Sequence, residues 1–351
     1  MIEKALGQQT LKYLKQDRNK DSIHSTTTAF ILAGATATGK TATAQILAEH
    51  MGCGILSADA MLVYKGMDIG TAKPTVAERG AVPYAGIDLV TPSDPFSTGR
   101  WIESAANALK PFDQKQQVTT GAHAVDAQGQ SSLIVAGGTG LYIKALTDGI
   151  QSAVAHPDIR EKWQTVFERT GIDGLQSELR QRAPEAFASL SDTSNPRRLL
   201  RALEHLETIG TLPDQWKNKD TSPASVIVLS LPREQLHRRI ALRVDQMFRT
   251  GFIEEVRALR KDYPVWSTTA AKAIGYEEVS AVLDNMLTQE EAREKIIIRT
   301  RQLAKRQETW FRHQTQAQWL MLTEHDTPRA IAERVFNLWR HHGPTPIHIP
   351  G

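Results

Sequence analysis

Gly34-Ala35-Thr36-Ala37-Thr38-Gly39-Lys40-Thr41 reads G-x-x-x-x-G-K-T, the spacing of a phosphate-binding loop. Such a loop needs a strand before it and a helix after it. Thr28-Ala29-Phe30-Ile31-Leu32-Ala33 is a short apolar run of strand type, and from Thr41 to His50 helical spacing puts Ala44, Leu47 and Ala48 on one face. A strand, a glycine loop and a helix aim successive backbone N–H groups and a positive helix end at one point. Lys40 adds a cation there, and the Thr41 hydroxyl is placed to hold Mg²⁺. The loop specifies phosphate or diphosphate and leaves open which molecule carries it.

At 351 residues the chain has room for one large domain or two modest ones. With 40% hydrophobic and 23% charged residues it falls in the globular class. No apolar run reaches membrane-spanning length, and the polar stretch from Met1 to Thr27 lacks the apolar core of a signal peptide, so a cytoplasmic protein is expected. The single cysteine, Cys53, excludes an internal disulfide and any multi-cysteine zinc site. Net charge is only +3, but seven basic residues face two acidic ones between Arg293 and Arg312. A local basic stripe is the footprint of a polyanion binder, although charge alone also allows a solvated helix face.

Past the loop, Ile55-Leu56-Ser57-Ala58 reads as a second strand ending at Asp59. In a parallel sheet, residues just beyond the C-terminal strand ends line the ligand crevice, so Asp59 is a candidate to face the loop; its position equally suits a helix cap. Residues 61–74 and 84–95 read as loops, 96–109 as a helix, and 111–132 as a long surface loop. A third strand, Leu133-Ile134-Val135-Ala136, ends in Gly137-Gly138-Thr139-Gly140 where ordinary phosphate-loop NTPases carry a Mg²⁺-holding Asp. That absence argues against simple ATP hydrolysis and offers the Thr139 hydroxyl to a ligand.

From 151 to 222 helical spacing dominates, as expected of an inserted subdomain; within it Asn195 and Pro196 open a helix carrying Arg197, Arg198 and Arg201. Salt bridges to acids such as Glu204 would explain these arginines as well as a polyanion would. The strand pattern resumes at Ser225-Val226-Ile227-Val228-Leu229. A basic helix from Leu236 to Arg249 follows, with an apolar stripe of Leu236, Ile240, Val244 and Met247, and with Arg239 and Arg243 one turn apart, a spacing suited to gripping a diphosphate. Further helices are expected over 251–260, 277–287 and 293–312, the last with Ile296, Thr300, Leu303, Gln307 and Trp310 inward. The expected architecture is α/β: a mostly parallel sheet of phosphate-loop NTPase type flanked by helices. Residues 28–150 and 223–320 form its core, 151–222 an all-helical insertion, 1–27 an extension and 321–351 a tail.

Several separated stretches together resemble the bacterial tRNA dimethylallyltransferase family. They are Gly34–Thr41, Ser57-Ala58-Asp59, residues 64–74 (Tyr64-Lys65-Gly66-Met67-Asp68-Ile69-Gly70-Thr71-Ala72-Lys73-Pro74), Gly137–Tyr142, Arg198–Glu204, Ile274-Gly275-Tyr276 and Thr300–Gln307. The resemblance implies transfer of a dimethylallyl group from dimethylallyl diphosphate to N6 of the adenosine that follows the anticodon, position 37 in tRNA numbering, with release of diphosphate. It implies Mg²⁺ as cofactor and the anticodon stem-loop of tRNA as partner, for an enzyme expected to act as a monomer. By the same resemblance Asp59 is the base, Thr139 contacts the reacting nucleotide, and one arginine of the Arg239/Arg243 pair, Arg243 by motif position with Arg239 as the alternative, assists the leaving group together with the loop residues Gly34, Ala35, Thr36, Ala37, Thr38, Gly39, Lys40 and Thr41. Leu62, Val63, Tyr64 and Lys65, and Arg197, Arg198, Leu199, Leu200 and Arg201, fall on tRNA-contacting segments.

The chain departs from the family pattern at Ala35 (usually Pro), Thr38 (Ser), Ala60 (Ser), Tyr84-Ala85 (His-His) and Arg197 (Gln). None of these changes removes a proposed catalytic group. The competing readings are an enzyme prenylating free adenine nucleotides and a phosphate-loop small-molecule kinase.

Overall fold

The computed structural model describes residues 28–109, 124–125, 131–149, 157–190, 192–212 and 226–348. The extension over 1–27 and most of the loop expected over 111–132 lie outside them. The strands are β1 (Thr28–Gly34), β2 (Ile55–Ser57), β3 (Tyr84–Ala85), β4 (Ala124–Val125), β5 (Ser131–Gly137), β6 (Val226–Ser230), β7 (Gln318–Met321) and β8 (Thr345–Pro346). The helices of the first half are α1 (Lys40–Met51), α2 (Val76–Arg79), α3 (Thr98–Leu109), α4 (Gly140–Asp148), α5 (Pro157–Arg182), α6 (Pro184–Ser189) and α7 (Pro196–Ile209). Those of the second half are α8 (Arg233–Arg249), α9 (Phe252–Asp262), α10 (Tyr276–Leu283), α11 (Gln289–Gln314) and α12 (Pro328–His342).

The sheet runs β3-β2-β5-β1-β6-β7, parallel throughout that path, with β4 antiparallel on β5 and β8 antiparallel on β1. β1 and β6 are buried along their whole lengths, which is why both read as continuous apolar runs without alternation. All the parallel strands end on one side, so the phosphate loop, Asp59 and the Gly137–Gly140 turn are delivered to one crevice. β3 was expected as loop. It pairs with β2 through Tyr84 and Ala85 alone, too few residues to leave a periodic signal.

The expected stripe of α8 holds: Leu236, Ile240, Val244 and Met247 are its buried residues. That of α11 differs. Ala292, Ile296, Ile297, Ala304 and Phe311 are buried, whereas Thr300, Leu303, Gln307 and Trp310 are only partly so. The helix packs against α10, α8 and α4, so no single face stays inward along its length.

Helices α5 to α7 bury an apolar centre of their own, built from Trp163, Leu175, Leu179, Leu190, Leu199, Ala202 and Leu203. Residues 322–348, expected as part of a tail, are built into the sheet domain. α12 is capped by Thr327 and buries Ile331, Ala332, Val335 and Trp339. Trp339 lies 4.9 Å from Phe30 between ring centroids, and Thr345 and Pro346 pair with Ala29 and Thr28. Among the described residues no helix is long and apolar enough to cross a membrane.

Candidate active site

The phosphate loop joins β1 to α1. Gly39, at φ 94°, stands at the helix N-cap, and no side chain caps it. The first N–H groups of α1 are therefore left for an anion, where the helix dipole also favours negative charge. The Thr38 hydroxyl donates to the Ala35 carbonyl at 2.8 Å and the Lys40 ammonium reaches the same oxygen at 2.6 Å. Burial pushes Lys40 down to about 8; the Asp59 carboxylate opposes that fall and the Arg243 guanidinium adds to it.

Asp59 follows β2, whose end is pinned from below: Trp101 Nε1 donates to the Ser57 carbonyl at 2.9 Å, and Trp101 stacks on Tyr142 with centroids 4.4 Å apart. The Asp59 carboxylate accepts from the Met61 N–H at 2.9 Å, a local turn that fixes its direction. Beside it, Thr139 Oγ1 accepts from the Ala60 N–H at 3.0 Å and the Thr139 N–H donates to the Ala58 carbonyl at 3.0 Å. These bonds tie the Gly137–Gly140 turn to the residues flanking Asp59. Gly137 is required by that contact, since a Cβ there would lie 2.1 Å from the Ala58 carbonyl oxygen.

The two arginines of α8 close the crevice. Nη1 of Arg239 lies 4.0 Å from where a Cβ on Gly39 would sit, so this guanidinium borders the loop. Arg243 donates through Nη2 to the Thr71 carbonyl at 3.0 Å. Burial holds its guanidinium below the usual arginine range, and the Asp59 carboxylate partly compensates. Lys40, Asp59 and Arg243 thus share one electrostatic neighbourhood, with Arg239 and Thr139 at its borders.

Among the described residues no group of three or more His, Cys, Asp or Glu converges to hold a metal. The exposed Thr41 hydroxyl at the start of α1 is the oxygen the loop presents. The chain thus offers a divalent cation this one hydroxyl, and the other ligands would have to be water and a bound anion.

The expected tRNA-contacting residues divide. The side chains of Leu62, Val63 and Tyr64 are buried, and the Tyr64 hydroxyl donates to Thr269 Oγ1 at 2.6 Å; only Lys65 of the four is exposed. Leu199 is fully buried in the helical insertion and Leu200 partly so, while Arg197 and Arg198 are exposed. Arg201 pairs with Glu204 at 2.9 Å, the salt bridge that the sequence allowed. Gln307 stands in the expected inward stripe and ends the resembling stretch Thr300–Gln307, with no site role expected of it. Its Oε1 accepts from the Thr36 N–H at 2.9 Å and its Nε2 donates to the Gly138 carbonyl at 3.0 Å, so it belongs to the site. On the same helix Gln302, Lys305, Arg306, Trp310 and His313 line a cavity of about 590 Å³.

Comparison with protein-family models matches residues 62–314 to IPP transferase and residues 27–82 to isopentenyl transferase. The chain is 38% identical over 299 residues to a tRNA dimethylallyltransferase of Bacillus subtilis, covering 84% of this chain and 90% of that one. It is 38% identical over 286 residues to that of Thermus thermophilus, covering 81% and 89%. Among solved structures, the full-length tRNA isopentenylpyrophosphate transferase of Bacillus halodurans superposes with a TM-score of 0.60 at 30% identity, covering 90% of this chain and 97% of that one. A eukaryotic dimethylallyltransferase acting on tRNA shares the fold, with a TM-score of 0.65 at 23% identity over 85% of this chain and 75% of the other.

Proposed function

The chain belongs to the IPP transferase family, together with the tRNA dimethylallyltransferases, and from that premise we propose that it prenylates N6 of the adenosine following the anticodon of tRNA. Dimethylallyl diphosphate is the donor and diphosphate the product. The allylic C–O bond breaks with its electron pair passing to diphosphate, and a bond forms between that carbon and N6. The amine nitrogen loses a proton, which Asp59 accepts.

Negative charge grows on the departing oxygens. The N–H groups of the loop, the Lys40 ammonium and the guanidinium of Arg243 are the groups this chain sets against it, with Arg239 at the loop's flank. Thr41 and the diphosphate would together hold Mg²⁺, which when bound neutralises part of that charge as a Lewis acid. Thr139 orients the acceptor nucleotide. The target base must leave the anticodon stack to reach a crevice at the strand ends. The helical insertion and the basic face of α11 are the surfaces that would grip the stem-loop of a tRNA bound to a monomer.

The observation that carries this reading is that Asp59 shares its electrostatic surroundings with Lys40 and Arg243 at the ends of parallel strands. A proton acceptor stands beside an anion cradle, and Gly137 takes the strand-end place that a kinase gives to an acid. The test incubates the protein with labelled dimethylallyl diphosphate, Mg²⁺ and either unmodified tRNA or AMP. Label should enter tRNA and not AMP, and Asp59→Ala should abolish transfer while the protein still folds cooperatively. Full activity of that variant would remove Asp59 as the base, and label in AMP alone would make the enzyme a nucleotide prenyltransferase.

A further inference from the structure

The stretch Gly66-Met67-Asp68-Ile69-Gly70-Thr71-Ala72-Lys73-Pro74 is the most distinctive in the chain, yet no side chain of it enters the chemistry above. Its contacts explain what it does. Glu255, in the first turn of α9, accepts through Oε2 from the N–H groups of Asp68 at 3.0 Å and Ile69 at 2.6 Å. Through Oε1 it accepts from the Gly70 N–H at 3.2 Å and the Tyr276 hydroxyl at 2.8 Å. One carboxylate thus takes four donors, the capacity of its lone pairs. The next carbonyl along, that of Thr71, receives Nη2 of Arg243 at 3.0 Å.

The rest of the stretch is equally fixed. Lys73 is buried, donates to the Tyr64 carbonyl at 2.7 Å, and pairs with Asp68 at 2.7 Å and Asp88 at 2.5 Å. Gly70 rests on aromatic rings: a Cβ there would lie 2.4 Å from Phe252 and 2.7 Å from Tyr276. Burial and the Glu255 carboxylate hold the Tyr276 phenol well above its usual range, so it remains a donor. An acid in a first helical turn also suits the helix dipole, but that role does not call for three loop amides and a phenol on the same carboxylate.

We propose that Glu255 is a positioning residue for Arg243, acting through residues 68–71 to fix the carbonyl on which the guanidinium is braced. The inference rests on the leaving-group role given to Arg243 above. It assigns the loop of residues 66–74 and the Tyr276 hydroxyl one shared task, which is to hold a transition-state cation in place.

Gln at position 255 cannot reproduce the arrangement, because whichever way its amide turns, an NH₂ group faces a loop N–H. The test is a double-mutant cycle on prenyl transfer to unmodified tRNA, with tRNA affinity and melting temperature measured alongside. Glu255→Gln should lower kcat on the order of 10²-fold, as small misplacements of catalytic groups do, with tRNA affinity unchanged. Arg243→Ala should lower kcat as well, and the double variant should be no slower than Arg243→Ala alone. Losses that multiply would overturn the proposal, as would a folded and fully active Glu255→Gln. Should Glu255→Gln fail to fold, Tyr276→Phe replaces it in the cycle with the same non-additivity expected. A fully active Arg243→Ala would instead refute the leaving-group role itself, a result distinct from multiplying losses.

Discussion

The N–H of Thr36 and the side-chain amide of Gln307 meet at 2.9 Å, although 271 residues separate them in the chain. The other end of that amide holds the Gly138 carbonyl, so one side chain of α11 joins the anion loop to the turn that carries Thr139. Removing it leaves a loop N–H and a carbonyl without this partner, at a cost of roughly 1–3 kcal/mol if they stay buried. Gln307→Ala should therefore lower kcat/KM for dimethylallyl diphosphate about tenfold, a fold-change that corresponds to about 1.4 kcal/mol. Gln307→Glu should be worse, since a carboxylate cannot donate to Gly138 and repels the diphosphate. Steady-state kinetics on both variants decide the point, and wild-type values for either would remove Gln307 from the site.

Lys40 sets a pH dependence. Its ammonium titrates near 8 in the free enzyme, against an ordinary value of 10.5. Affinity for dimethylallyl diphosphate should fall as pH rises through about 8, and Lys40→Arg should flatten that fall. Stability runs the other way. Between the two values the unfolded chain binds more protons than the native one, so this group makes the fold more stable as pH rises across that window. Urea midpoints of wild type and Lys40→Met, followed from pH 7 to 10, should show the slope in the wild type alone.

Salt should weaken tRNA binding. Lys305 and Arg306 are exposed on α11 beside the cavity that includes Trp310. If each neutralises one phosphate, alanine in its place should reduce the slope of log affinity against log salt by about 0.7–0.9 and weaken all tRNAs alike. Filter binding at several salt concentrations measures both quantities. An unchanged slope would place the RNA elsewhere.

Trp339 tests the packing of the C-terminal segment. It is 2% exposed and lies against Phe30 of the strand that leads into the phosphate loop. Trp339→Ala should cost about 3–5 kcal/mol of stability. Denaturant titration should show the loss, and an effect below about 1 kcal/mol would mean that α12 is not part of the cooperative unit.

The phosphate loop was readable in the sequence because its chemistry is local: strand, glycines, lysine and helix follow one another without a break. Asp59 was readable as a strand-end residue, and its carboxylate keeps something of both expected roles, accepting the Met61 N–H while acting electrostatically on Lys40 and Arg243. Gln307 ends one of the resembling stretches, but its role and that of Glu255 left no such trace, since their partners are brought to them by the fold and each lies on a helix where Gln or Glu is unremarkable. Orientation was equally hidden. Val63, Tyr64 and Leu199 belong to segments pointed out by resemblance, yet their side chains turn inward, which a motif cannot report. The register of α11 was missed for a related reason. A helix that packs against three neighbours has no single periodicity to read.

The apolar centre around Trp163 and Leu203 has no residue in common with the one around Ile31 and Leu229. Changes confined to one interior add to changes in the other without coupling. The interior of helices α5 to α7 can accordingly be remodelled by substitution while the packing beneath the phosphate loop stays as it is.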